Sequence, residues 1–427
     1  MDLIQDIENL MLDITGKWQR GEELPEDSIL QNFVKYHKMV ADFDAREAAG
    51  VAPVMPLINE IKALSSFEDY TSKLGTYELA GKPNLLPFSV SPDFMNAQMN
   101  VLWGEALGLI LPDTTYYEED NEKGPELLAV WRQMVEKLLA KFDFSEEEIK
   151  DILDKVIAAD AELAKYVLSN EEKSEYNKLY HPYEWADFKA LVPELPLDTF
   201  FTEVIGQTPD KIIVPEERFW KEFAPTFYSA ANWETLHAKL KLGAALDWTS
   251  FLTEEIRVLA GEYSRTIAGV PVSYTHLRAH VATMIDVYKE RLEKADWLAP
   301  ETREKAIVKL NVITPHIGYP EKLPETYAKK IIDESKNLVE NAQKLAQISI
   351  AHTWSKWNQP VDRSEWHMPA HLVNAYYDPQ QNQIVFPAAI LQAPFYDLHQ
   401  SSSANYGGIG AVIAHEISHA FDTNGAS

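Results

Sequence analysis

Cysteine is absent from the 427-residue sequence. That single absence excludes a disulfide scaffold, thiol catalysis and cysteine-ligated zinc. Basic residues are scarce: 39 Lys and Arg stand against 66 Asp and Glu, a formal charge of −27. A nucleic-acid surface needs a basic footprint, so no nucleic-acid partner is expected. No apolar run approaches the roughly 20 residues that cross a bilayer. Runs such as 107–111 and 409–414 are sized for a core. Residues 1–8 carry acid where a secretory signal needs basic residues. No membrane segment and a cytoplasmic location are therefore expected, with leaderless export left open. What is present is globular: 46% of residues are hydrophobic, too many for a disordered acidic chain. The length allows a large core and suggests two domains.

Up to about residue 347 the dominant signal is helical. Ser145 and Glu148 form a capping box before a stripe of Ile149, Ile152, Leu153, Val156, Leu163 and Val167. The spacing predicts further helices over 127–139, 233–261, 282–297, 300–311 and 324–350, punctuated by Pro and Gly clusters. Near Trp354 the character changes. Trp354, Trp357 and Trp366 sit among prolines and read as core, with a substrate wall as the weaker option. Two short strands follow, over 373–377 and 383–386, joined by a hairpin loop at 378–382. Pro387 ends the second strand, which suits an edge position. After a linker at 401–405, Gly407-Gly408 opens an apolar helix from Ile409 to about Phe421.

That last helix contains His415-Glu416-Ile417-Ser418-His419. Two His four residues apart share a helical face, so both imidazoles can converge on one Zn²⁺. Glu416 projects beside them as a general base, taking a proton from a zinc-activated water and passing it to a leaving amine. Chance produces this pattern in only a few chains per hundred. The chemical reading therefore outweighs that of a buried helix whose His merely pack. The metzincin pattern needs Gly three residues after the second His and His three further on; Asp422 and Gly425 stand there instead. A third ligand is thus expected from elsewhere, as a Glu. Asp422 reads either as an acceptor orienting an imidazole or as a solvated Asp at a helix end.

Several stretches together resemble a known family. They are Val373-Asn374-Ala375-Tyr376-Tyr377, Asn382-Gln383-Ile384-Val385-Phe386-Pro387-Ala388, Pro394-Phe395 and 410–422, with Trp297, Glu301-Thr302, Ala306, Lys309 and Ile317-Gly318-Tyr319-Pro320 upstream. The sequence is similar to the neprilysin / endothelin-converting-enzyme family of zinc endopeptidases, and most similar to its bacterial, oligopeptidase O type. The resemblance implies His415 and His419 as ligands of one zinc, Glu416 as catalytic base and Asp422 as the acid behind a ligand. It also implies Asn374 and Ala375 as the pair holding substrate main chain. An exposed edge strand can offer its backbone to an extended peptide, and an Asn adds a donor and an acceptor. Without the resemblance, Asn374 also reads as a strand-end residue satisfying its own loop.

Three departures from the family pattern stand out. A third ligand Glu, a transition-state His and a substrate-binding Arg are implied downstream of Ser427. An N-terminal segment of the catalytic domain is implied before Met1. Between Val270 and Val281 the pattern breaks, and Ser273-Tyr274-Thr275-His276-Leu277-Arg278-Ala279-His280 resembles a translated sequencing adapter, so a junction is expected at 271–281. His276 and His280 have ligand spacing, but Leu277 stands where Glu is needed. The remaining His, including His367 and His371 with Pro369 between them, read as packing or surface residues.

The expectation is a mainly α protein: a helical domain over 1–345 and, over 346–427, the first part of an α+β zincin-like (gluzincin) domain. The implied function is zinc-dependent endopeptidase action on short peptides, the chain as given being an incomplete and inactive piece. The alternative is a non-catalytic peptide-binding protein that uses the cavity and the edge strand.

Overall fold

The computed structural model describes residues 16–17, 20, 22, 26–175, 178–268, 278–320, 322–392, 394–396 and 400–422. The 271–277 part of the expected junction, with His276, lies outside them. The mainly α expectation holds. The frame consists of α1 (Ser28–Ala41), α2 (Lys123–Leu139), α3 (Glu146–Leu163), α4 (Trp233–Leu246), α5 (Arg278–Glu293), α6 (Pro300–Asn311), α7 (Leu338–Ser355) and α8 (Ile409–His419), with shorter helices between. No described helix is long and apolar enough to cross a membrane.

Local chemistry sets several boundaries. Ser145 and Glu148 exchange side-chain and backbone hydrogen bonds at the start of α3, as the capping box predicts. Asn337 and Glu340 do the same for α7, so the helix read over 324–350 begins only at Leu338. The helix read over 233–261 is broken after Leu246. A 3₁₀ turn at Thr249–Phe251 intervenes, and Thr253 caps a new helix, Glu254–Ala260. Ser401 likewise caps a short helix, Ser402–Gly407, where a linker was expected.

Among the described residues, seven strands form two small sheets. In the first, β1 (Phe88–Asp93), β2 (Asn96–Gly104), β3 (Pro182–Glu184) and β4 (Lys211–Ile213) lie in the order β1-β2-β4-β3. The helical periodicity of this region concealed it. The second sheet, β5-β7-β6, joins β5 (Thr314–Gly318), β6 (Tyr376–Asp378) and β7 (Gln383–Pro387). β5 pairs parallel and β6 antiparallel to β7, with Tyr377 opposite Ile384. β7 is therefore central and wholly buried, which corrects the edge position expected for it. Pro387 is its last residue, opposite Gly318, where a missing N–H ends the ladder without interrupting it. The edge strands are β5 and β6.

Buried side chains group into two cores. The first gathers α2, α3 and α4 with Leu102 of β2 and Ile212 of β4, and the Phe88 ring of β1 stacks on Trp220 at 5.4 Å. It also takes Val339, Ala342 and Trp354 from α7. The second is built from Leu310, Ile313, Ile317, Ile384 and Phe386 beneath Ile409, Ile413 and Ile417 of α8. A cavity of about 910 Å³ is lined by Val90 of β1, by Tyr319 and Tyr327, and by Trp366 and His371. The three tryptophans thus separate: Trp354 is core, Trp357 packs against that core, and Trp366 lines the cavity, edge-on to His316.

Candidate metal and catalytic site

α8 owes its placement to one apolar stripe. Ile409, Ile413, Ile417 and Ala420 are fully buried, and the opposite side carries Ala411 and His415 to the surface. The chain enters the helix through a tight contact: the Ile409 N–H donates to the Phe395 carbonyl at 2.7 Å. α5 braces the helix further along, where the Tyr288 hydroxyl donates to the Ala414 carbonyl at 2.9 Å. The Tyr288 ring also stacks on Phe421.

On this helix the two imidazoles converge. His415 Nε2 and His419 Nε2 are 3.1 Å apart. Two ligands each about 2.0–2.1 Å from one tetrahedral zinc would stand about 3.3 Å apart, so the pair fits the ion. His419 Nδ1 meets Asp422 Oδ2 at 2.8 Å. With its Nδ1–H donated to that carboxylate, His419 turns the lone pair of Nε2 towards His415. Asp422 is therefore not simply solvated.

Glu416 lies on the neighbouring face and is only 6% exposed. Burial pushes its carboxyl above the ordinary carboxylate range. The fields of His415 and His419 and a hydrogen bond from the Tyr377 backbone oppose that rise. A carboxylate so placed is both basic and held in position, the two properties a proton acceptor needs. Among the described residues no group of three or more His, Cys, Asp or Glu could hold a metal, so two donors is what they bring together.

Asn374 and Ala375 lead into the edge strand β6 from its N-terminal side. Asn374 is exposed, and its side-chain oxygen accepts the Ala375 N–H at 2.9 Å, the local satisfaction weighed above. Ala375 is 7% exposed, with its methyl in the second core. His367 packs on Tyr376 and meets the Gln381 side chain at 3.1 Å, forming no ligand pair with His371.

Three contacts escaped sequence reasoning. Tyr377 approaches Glu416 through its backbone, and its hydroxyl donates to Asn382 Oδ1 at 3.0 Å. Asn382, with a left-handed φ of 47°, in turn donates from Nδ2 to the Lys309 carbonyl at 3.1 Å. Tyr377, Asn382 and Lys309 all fall in the stretches that carry the family resemblance. That was the available signal, but it named no partner for any of them.

Sequence models of Peptidase family M13 match residues 1–280 and 271–320, and again 374–427. A Streptococcus gordonii protein named "Putative zinc metalloproteinase in scaA 5'region" is 61% identical over 459 residues, covering 100% of this chain and 81% of the relative. The neutral endopeptidase of Lactococcus lactis subsp. cremoris is 39% identical over 440 residues, covering 95% of this chain and 70% of the relative. Among solved structures, PepO from Lactobacillus rhamnosis HN001 superposes with a TM-score of 0.89 at 28% identity, over 99% of this chain and 71% of that one. A family match along most of the sequence, joined to a relative 61% identical over all of it, makes this chain a member of peptidase family M13, the zinc metalloendopeptidases.

Proposed function

We propose that the chain carries the His–Glu–His half of a zinc endopeptidase site that hydrolyses short peptides. The observation that carries this reading is the 3.1 Å approach of His415 Nε2 to His419 Nε2, with Asp422 behind His419. Zinc, when held there, supplies a Lewis acid for the scissile carbonyl and acidifies a water. Glu416 would accept a proton from a water and donate it to the leaving amine. Its burial and its bond from Tyr377 suit it to that exchange. Asn374 and the main chain at Ala375 align an extended peptide along the edge strand β6. Preference for short peptides is supported by the cavity of about 910 Å³, which reaches His371, three residues before Asn374.

Two imidazoles are half of a tetrahedral shell, whereas catalytic zinc sites use three protein ligands. This chain alone is therefore expected to hold zinc weakly and to hydrolyse peptides poorly, with an acidic third ligand completing the shell. A junction at 271–281 is supported by the two-piece family match meeting there, and by an alignment to the 61%-identical relative that is longer than the chain itself. With the zinc shell complete, Glu416→Gln should keep the metal and lose about 10²–10⁴-fold in peptide turnover. Steady-state kinetics beside metal analysis checks this. Zinc retained with undiminished turnover would overturn the role of Glu416, and peptide binding with no turnover at all would favour a binding protein.

A further inference from the structure

We propose that the face of the second sheet turned away from α8 binds a hard divalent cation, calcium, through the side-chain oxygens of Asp378, Gln381 and Gln383. The site does not depend on whether α8 holds zinc.

Strand register brings the three residues together. Side chains alternate along β7, so Ile384 and Phe386 enter the core beneath α8 while Gln383 and Val385 point to the opposite face. On that face Gln383 stands opposite Asp378 of β6 on one side and Thr314 of β5 on the other. Directly opposed residues of an antiparallel pair hold their Cβ atoms about 4.5–5.5 Å apart, so Asp378 and Gln383 are neighbours. Gln381 belongs to the turn that joins them. Asp378 folds that turn back, its Oδ1 accepting the N–H of Gln380 at 2.9 Å and of Gln381 at 3.1 Å. Asp378, Gln381 and Gln383 are 8%, 5% and 0% exposed.

At that burial every unmet polar atom counts. Neither amide atom of Gln383 has a hydrogen-bond partner, and Gln381 Oε1 has none. Native interiors rarely keep such atoms, because each has given up water for nothing. Asp378 Oδ2 lies 3.6 Å from His367 Nε2. That nitrogen already meets Gln381 Nε2 at 3.1 Å. With the Gln381 N–H donated to it, it has no proton to offer Asp378. Arg363 donates to the main-chain carbonyl of Gln381 instead. One carboxylate oxygen and two amide oxygens are left, the donor set of a hard cation. Calcium takes about six to eight oxygens and accepts amide carbonyls, whereas zinc favours nitrogen and sulfur. A single carboxylate makes the site a weak one. Gln381 and His367 also line the cavity of about 910 Å³, which gives the ion an entrance and water for its remaining positions. Calcium held there ties β6 to β7, the hairpin that follows Asn374 and Ala375.

The test uses the full chain, stripped of metal and unfolded thermally with calcium chloride at fixed ionic strength. About 10 mM calcium should raise the parent's melting temperature by about 2–4 °C, with half the effect reached near 0.1–1 mM. Magnesium, which demands a tighter octahedral shell, should do much less. Gln383→Met keeps the length of the side chain and removes both polar atoms. Without calcium it should melt no lower than the parent, and calcium should leave it unmoved. Asp378→Asn keeps the acceptor that folds the turn and should also lose the response; if it fails to fold, Gln381→Met takes its place. His415→Ala should respond as the parent does. A parent that ignores calcium overturns the proposal, as do folded Gln383→Met and Asp378→Asn chains that respond in full. So does a Gln383→Met chain that melts well below the parent without calcium, since its amide would then be satisfied inside the protein. Loss of the response in His415→Ala would move the ion to α8 and overturn the proposal as well.

Discussion

Asp160 sits on α3 at 1% exposure, its oxygens taking the Ile110 N–H at 3.0 Å and the Tyr117 hydroxyl. Burial pushes its pKa above the ordinary 3.8, against the bond from Tyr117 and the field of Lys239. A carboxyl raised in the folded state stabilises most fully while protonated, below about pH 4, and loses that contribution as pH climbs through its folded value. Asp160→Asn keeps an acceptor without the charge. Its melting temperature should fall less than the parent's between pH 4 and 8, and parallel thermal scans check this. Asp160→Ala should cost about 2–4 kcal/mol at neutral pH, because two part-buried donors lose their acceptor. Denaturant unfolding measures that loss.

Glu416, His415 and His419 were legible because helical spacing alone puts residues i and i+4 side by side. The chain of bonds from Tyr377 through Asn382 to the Lys309 carbonyl was not, because Lys309 lies on another helix and nothing local ties it to the hairpin. Asn374 shows a third case: both readings of it were available, and the bond to Ala375 now has to be weighed against any bond to substrate.

At the scale of elements, α8 depends on how the chain enters it. A Cβ on Gly408 would lie 2.3 Å from the Phe395 carbonyl oxygen, whereas one on Gly407 would meet nothing within 4 Å. Gly408→Ala should therefore cost about 1–3 kcal/mol and tilt the start of the helix. Gly407→Ala should be neutral or mildly stabilising. Thermal unfolding of the two variants beside the parent separates them. The hairpin of β6 and β7 could be read because turn residues sit between two apolar runs. The first sheet could not, since β2 begins with exposed Asn96, Ala97 and Gln98 and only its second half is apolar. The break after Leu246 was hidden as well, because the apolar period continues across Asp247–Thr253 while the backbone turns through a 3₁₀ step.

Across the whole molecule, chain order and core order differ. Leu310, Ile313 and Ile317 belong with α8, and Trp354 belongs with the first core, so no single cut near residue 345 separates the two packed bodies. We propose that the working division follows the cores. The charge of −27 adds a general attraction for cations but no selectivity. Selectivity must come from the two converging imidazoles. Zinc binding by the purified chain, measured by competition against a chromophoric chelator in the parent, His415→Ala and His419→Ala, tests this most directly. The prediction is one zinc per parent chain, held well short of the roughly 10–16 kcal/mol of four-ligand structural sites, and lost when either histidine is replaced. Zinc bound equally well by the parent and by His419→Ala would contradict it.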